Sequence, residues 1–286
     1  QVGVYKNQNA LVNMKNKERE QQLQPPYTFA RGYSAQDLDF TDLGFAREAI
    51  ASFSRFTRQQ SEGVLPKSAR FMVAMPTPFA PVYSFTSYAD QLSVLPVYEA
   101  AILTELDEIT KRIPHEMLTI QWDVATEMSI FEQVYGFQVE NQWEFLTSAL
   151  AKLGDEVPHG VEVGYHLCYG SMNSKHWKEP ETLSMCVKVS NVLTNKVSRL
   201  INFIHMPVPV DRTDDVYYKP LWELKVNDDT QVILGLVHES QTYEKNIKRM
   251  NVARNFLPEF GIATECGLGR CEAHSMPGLM NLHNRL

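Results

Sequence analysis

Apolar positions along this chain alternate between two periods. From Asp42 to Gln60, Leu43, Ala46, Ile50, Phe53 and Phe56 recur at helical spacing, and Glu62-Gly63-Val64-Leu65-Pro66 closes the segment. Arg70-Phe71-Met72-Val73-Ala74-Met75 then reads as a buried strand ended by Pro76-Thr77-Pro78. Pro96 to Arg112 reads as a helix with Tyr98, Ala101, Ile102, Leu106 and Ile109 on its apolar stripe. Pro96 suits its first turn, where no amide donor is needed. The unit then repeats. Strands are expected at Leu118–Val124, Gly160–Cys168, Leu200–His205, Gln231–His238 and Gly261–Cys266. Helices are expected within Phe137–Leu153 and over Pro180–Val192, Thr242–Asn255 and Pro277–Arg285, with a less regular stretch at Tyr217–Leu221. Ahead of them, residues 6–24 are polar and charged up to Pro25-Pro26, and read as an exposed helix or a mobile arm.

Strands that alternate with helices imply parallel pairing through right-handed crossovers. Each of the last five strands ends in a residue capable of chemistry: Asp123, His166 with Cys168, His205, His238 and Cys266. An open, doubly wound sheet gathers its site at one switch point, whereas a β/α barrel carries it on the C-terminal ends of all its strands. The spread over the whole chain therefore predicts a TIM (β/α)8 barrel, with six strands visible and the first two upstream of Gln1 or missing. A single barrel domain over 1–286 is expected, with 1–26 a polar arm and 27–286 the barrel body. A chain that began at Gln1 would leave a strand edge exposed and prone to dimerise or aggregate.

His166 and Cys168 stand two apart in a strand and so share one face. Imidazole and thiolate are both zinc ligands, and Cys266 offers another thiol at the end of a later strand. The alternative reading makes His166 a hydrogen-bonded core residue and the cysteines small buried hydrophobes.

Composition narrows the function. The chain has 286 residues, 44% of them hydrophobic, and a formal net charge of −7. That charge argues against nucleic acid as a partner, which calls for a basic face. No run approaches a membrane span and the first residues lack a signal-peptide pattern. Four cysteines (Cys168, Cys186, Cys266, Cys271) in a chain of this length do not make a disulfide scaffold, so reduced thiols and a cytoplasmic location are expected.

Several phrases carry a resemblance. Arg70 to Pro78, Ile120-Gln121-Trp122-Asp123, His166-Leu167-Cys168-Tyr169 and Glu265-Cys266-Gly267-Leu268 resemble, in order, four strands of the catalytic barrel of cobalamin-independent methionine synthase. That family lies in the superfamily that also holds uroporphyrinogen decarboxylase. The wording of these phrases is nearest to a branch of shorter, single-barrel relatives. The resemblance implies a zinc ion held by His166, Cys168 and Cys266, with His205 standing where the family has a glutamate. It implies a zinc-dependent transferase in which a homocysteine-like thiol attacks the methyl group of a donor such as a folate. Asp123 matches the acid that binds the substrate's amino group. Glu127 and Glu265 are further candidates for substrate binding, and His238 for proton transfer. The chain departs from the pattern at Val124-Ala125, where a Glu-Pro pair is expected, and at His205.

The same barrel supports other readings. Thiol addition to an epoxide uses the same ligand pattern, and a lyase or hydrolase would activate water in place of sulfur. A non-catalytic zinc-binding protein would saturate its metal with four protein ligands, whereas an enzyme keeps an exchangeable position.

Overall fold

The computed structural model describes residues 4–5, 8–14, 25–170 and 175–286. Among the described residues there are eight strands: β1 (Leu11–Asn13), β2 (Tyr27–Phe29), β3 (Phe71–Pro76), β4 (Leu118–Val124), β5 (Glu162–Leu167), β6 (Phe203–Pro207), β7 (Gln231–Val237) and β8 (Gly261–Thr264). β1 and β2 form an antiparallel pair, and β3 to β8 form a six-stranded sheet in chain order. Helices intervene between successive strands of that sheet, as the alternating periods predict. The fold is thus mixed α/β on a parallel sheet. Among the described residues closure into a barrel is not seen, because β3 and β8 remain the two end strands of the sheet. Among the described residues no helix is long and apolar enough to cross a membrane.

The chain groups into two compact units, residues 1–122 with 156–162, and residues 123–155 with 163–286. In the first unit, part of the expected polar arm is ordered structure, while residues 6–7 and 15–24 lie outside the described residues. Tyr5 is fully buried among Tyr27, Phe40, Phe85 and Tyr98, and Leu11 is buried opposite Phe29. A few apolar side chains in a polar segment suffice to hold it, and the average polarity of the segment hides them. Helix Phe45–Ser61 begins at Gly44, which has no side chain to cap it. The Glu105 carboxylate does so from helix Gln91–Arg112, accepting from the amides of Leu43, Gly44 and Ala46 at 3.0, 3.2 and 2.6 Å. That second helix begins five residues before Pro96, which is therefore interior. The carbonyl Pro96 leaves unpaired belongs to Leu92, which is exposed, so water can serve it.

The second unit carries β5 to β8. β5 to β7 pair in parallel in continuous register, with Gly164 opposite Phe203 and His166 opposite His205. β7 and β8 pair in parallel with an irregularity between Leu234 and Val237. β6 starts three residues later than expected and runs on through His205 to Pro207. Helices Gln142–Asp155, Ser184–Lys196 and Tyr243–Arg254 supply the crossovers. Thr242 caps the last of these through its hydroxyl. Cys186 is fully buried in Ser184–Lys196.

Candidate metal centre

The second unit brings three of the expected ligands together. The donor atoms of His166, Cys168 and Cys266 all lie within 4.8 Å of one another. β5 supplies His166, Cys168 follows one residue past its end, and Cys266 lies two residues past β8. The two sulfurs are 3.9 Å apart. Sulfurs each about 2.3 Å from one zinc ion at the tetrahedral angle would stand about 3.8 Å apart. His166 is buried, and neither of its ring nitrogens has a hydrogen-bond partner. A buried imidazole without partners is costly unless something else engages it. Its donor atom and the paired sulfurs fit a zinc ion, which would engage all three. Cys168 is hydrogen-bonded to Cys266 and buried, and both effects hold its thiol well above the usual range. The two thiols therefore ionise together only beside a cation. The Gly170 amide donates to the Cys168 sulfur at 3.3 Å, a contact that favours the thiolate.

His205 does not join these donors. Its ring stacks on that of His166, with centroids 4.5 Å and planes 26° apart. Burial, and then the neighbouring His166, push its pKa down to about 3, so the ring is neutral. Asp123 sits in β4 near enough to Cys168 to disfavour its thiolate. Glu127 is buried in the first turn of the short helix Thr126–Phe131. Neither acid lines the cavity beside the sulfurs.

A cavity of about 330 Å³ opens beside the sulfurs, and Cys168, Cys266, His176, His238, Glu265 and Cys271 contribute to its wall. His238 follows β7 directly and places its Nε2 2.8 Å from the Val208 carbonyl. A carbonyl only accepts, so Nε2 carries the hydrogen and Nδ1 is bare in the neutral ring. Nδ1 stands 4.0 Å from Glu265. Burial holds His238 below the usual histidine value. Beneath it the fully buried Arg249 donates to the carbonyls of Leu236 and Val210 and to Asn246 Oδ1, and Asn246 Oδ1 also accepts from the His238 amide.

His176 was not singled out by the sequence. It stands 3.2 Å from Glu265 and 3.0 Å from Glu179. Burial lowers its pKa, but the two carboxylates outweigh that and hold it up at about 9. The segment around it is pinned on both sides. Trp177 stacks on Tyr169 and lies against Gly170, and Lys178 pairs with Glu132 at 2.7 Å. The available signal was position. His176-Trp177-Lys178-Glu179 follows the strand that bears His166, in the kind of loop where α/β sheets place their sites. All four cysteines are free thiols. Compared with models of protein families and with curated protein sequences, the chain matches none.

Proposed function

We propose that the protein is a zinc-dependent transferase that alkylates a small-molecule thiol, built on a (β/α)8 barrel to which β3–β8 contribute six consecutive strands. The observation that carries this reading is the pair of sulfurs 3.9 Å apart beside the unpartnered ring of His166, on a cavity large enough for a small substrate. Zinc, when bound, supplies the positive charge that lowers the pKa of a substrate thiol. Two thiolates and a neutral imidazole offset that charge, so a thiolate beside them stays nucleophilic.

The remaining steps belong to the chain. The Gly170 amide holds the Cys168 sulfur in place. His238, fixed by the Val208 carbonyl, presents Nδ1 to accept the proton that the substrate thiol loses. Glu265 stabilises the resulting imidazolium. Sulfur then forms its bond to the electrophilic carbon as the bond from that carbon to its leaving group breaks, and the His238 proton passes to the leaving group. His176 holds Glu265 on the cavity wall. Asp123 and Glu127 are assigned to the substrate's polar groups by the resemblance alone.

Elemental analysis of protein purified without chelator tests this, beside a Cys168→Ser, Cys266→Ser variant. One zinc per chain is expected, lost in the variant. Absence of metal after anaerobic reconstitution with zinc would overturn the reading.

A further inference from the structure

Three protein donors converge in the second unit, and the most obvious fourth candidate is turned away from them. The parallel register sets His205 beside His166, and their rings lie face to face. An imidazole binds a metal in its own plane, through a nitrogen lone pair. Two stacked rings offer nearly parallel planes, so an ion in the plane of His166 lies out of the plane of His205. The His205 ring reaches instead over β7. A Cβ built on Gly235 would stand 2.7 Å from its Nε2, 2.8 Å from Glu265 Cα and 2.9 Å from the Thr264 carbonyl. Gly235 thus leaves the space that the ring occupies. His166 also lacks the carboxylate or carbonyl that ordinarily orients a metal-binding histidine through its second nitrogen. Its orientation is fixed by the stacked ring.

We infer that His205 is a positioning residue and not a ligand, and that the metal centre has three protein donors with a fourth position left to an exogenous soft anion such as a thiolate. This rests on the zinc reading of the site. Both sulfurs line the cavity while His166 is buried away from it, so an incoming ligand reaches the donors from the cavity. A three-donor set is the arrangement of a catalytic metal rather than a structural one.

X-ray absorption on the zinc-loaded wild-type protein counts the ligands directly. Two sulfurs and one imidazole are expected, with the sulfur count rising to three on addition of 2-mercaptoethanol. His205→Phe keeps a flat ring and should leave the count unchanged. His205→Ala removes the stack and should weaken cobalt binding by about tenfold or more. Two imidazoles in the wild type, loss of an imidazole in His205→Phe, or an unchanged sulfur count with the thiol would each overturn the inference. The wild-type count stands whether or not a variant folds. Wild-type protein that holds zinc with two imidazoles sinks this inference alone, whereas protein that holds no zinc sinks the reading beneath it as well.

Discussion

A methyl group added at Gly235 would meet backbone as well as side chain, since Thr264 and Glu265 bound the space along with His205. Backbone on β8 does not step aside as a flexible side chain would. Gly235→Ala is therefore expected to lower stability by about 1–3 kcal/mol and to weaken metal binding, because Glu265 adjoins Cys266. Urea midpoints and metal content measure the two effects. His176 carries a second residue-scale expectation. Its folded pKa, about 9, lies above the ordinary value of 6.5, so the charged form is the one that folding favours. The stability it contributes is complete below about pH 6.5 and is lost as the pH rises through about 9. Wild type should exceed His176→Gln in denaturation midpoint at roughly pH 6, with the gap closing by roughly pH 9.5. An unchanging gap would mean the ring acts only by packing.

Elements here are joined by single polar side chains that no local pattern announces. Glu105 lies on the buried side of helix Gln91–Arg112, where helical periodicity asks for an apolar residue, yet it accepts from three amides at the start of helix Phe45–Ser61. Glu105→Ala leaves those amides without their acceptor and is expected to cost about 2–3 kcal/mol, read from urea denaturation. Glu105→Gln, which retains an acceptor oxygen, should cost less. Arg249 behaves alike on helix Tyr243–Arg254, where its bonds to the Leu236 and Val210 carbonyls tie β7 to the segment that follows β6. The helices themselves were legible wherever their apolar stripes were long. The short helices Phe79–Phe85 and Thr126–Phe131 were not, since fewer than two or three turns give too few repeats to show a period.

At the scale of the molecule, a ligand that binds only the folded state adds stability by mass action. Zinc at a hundred times its dissociation constant should raise stability by about 2.7 kcal/mol, and the Cys168→Ser, Cys266→Ser variant should show no gain. Thermal melts with and without a chelator compare the two. The end strand β3 makes a separate case. Among the described residues its only sheet neighbour is β4, Met72 on it is 51% exposed, and such an edge with apolar side chains favours association. Concentration-dependent self-association is expected by sedimentation, and Met72→Lys should reduce it.

The sequence by itself determined the order of the six sheet strands and of the longer helices between them, because each period reflects which faces of an element meet water. It also determined that His166 and Cys168 share a face, since a strand repeats every two residues. Their meeting with Cys266, 98 residues after Cys168, required the sheet to bring the end of β8 to the end of β5. The roles of the histidines were likewise beyond reach of spacing. Spacing put His205 and His238 alike at strand ends, yet His205 lies within β6 and stacks on His166, while His238 follows β7 and bonds a carbonyl with a bare nitrogen toward Glu265. His176 enters the site from a loop with no period at all. Ring orientation and long-range ion pairing depend on neighbours from other strands, and only the tertiary structure supplies those.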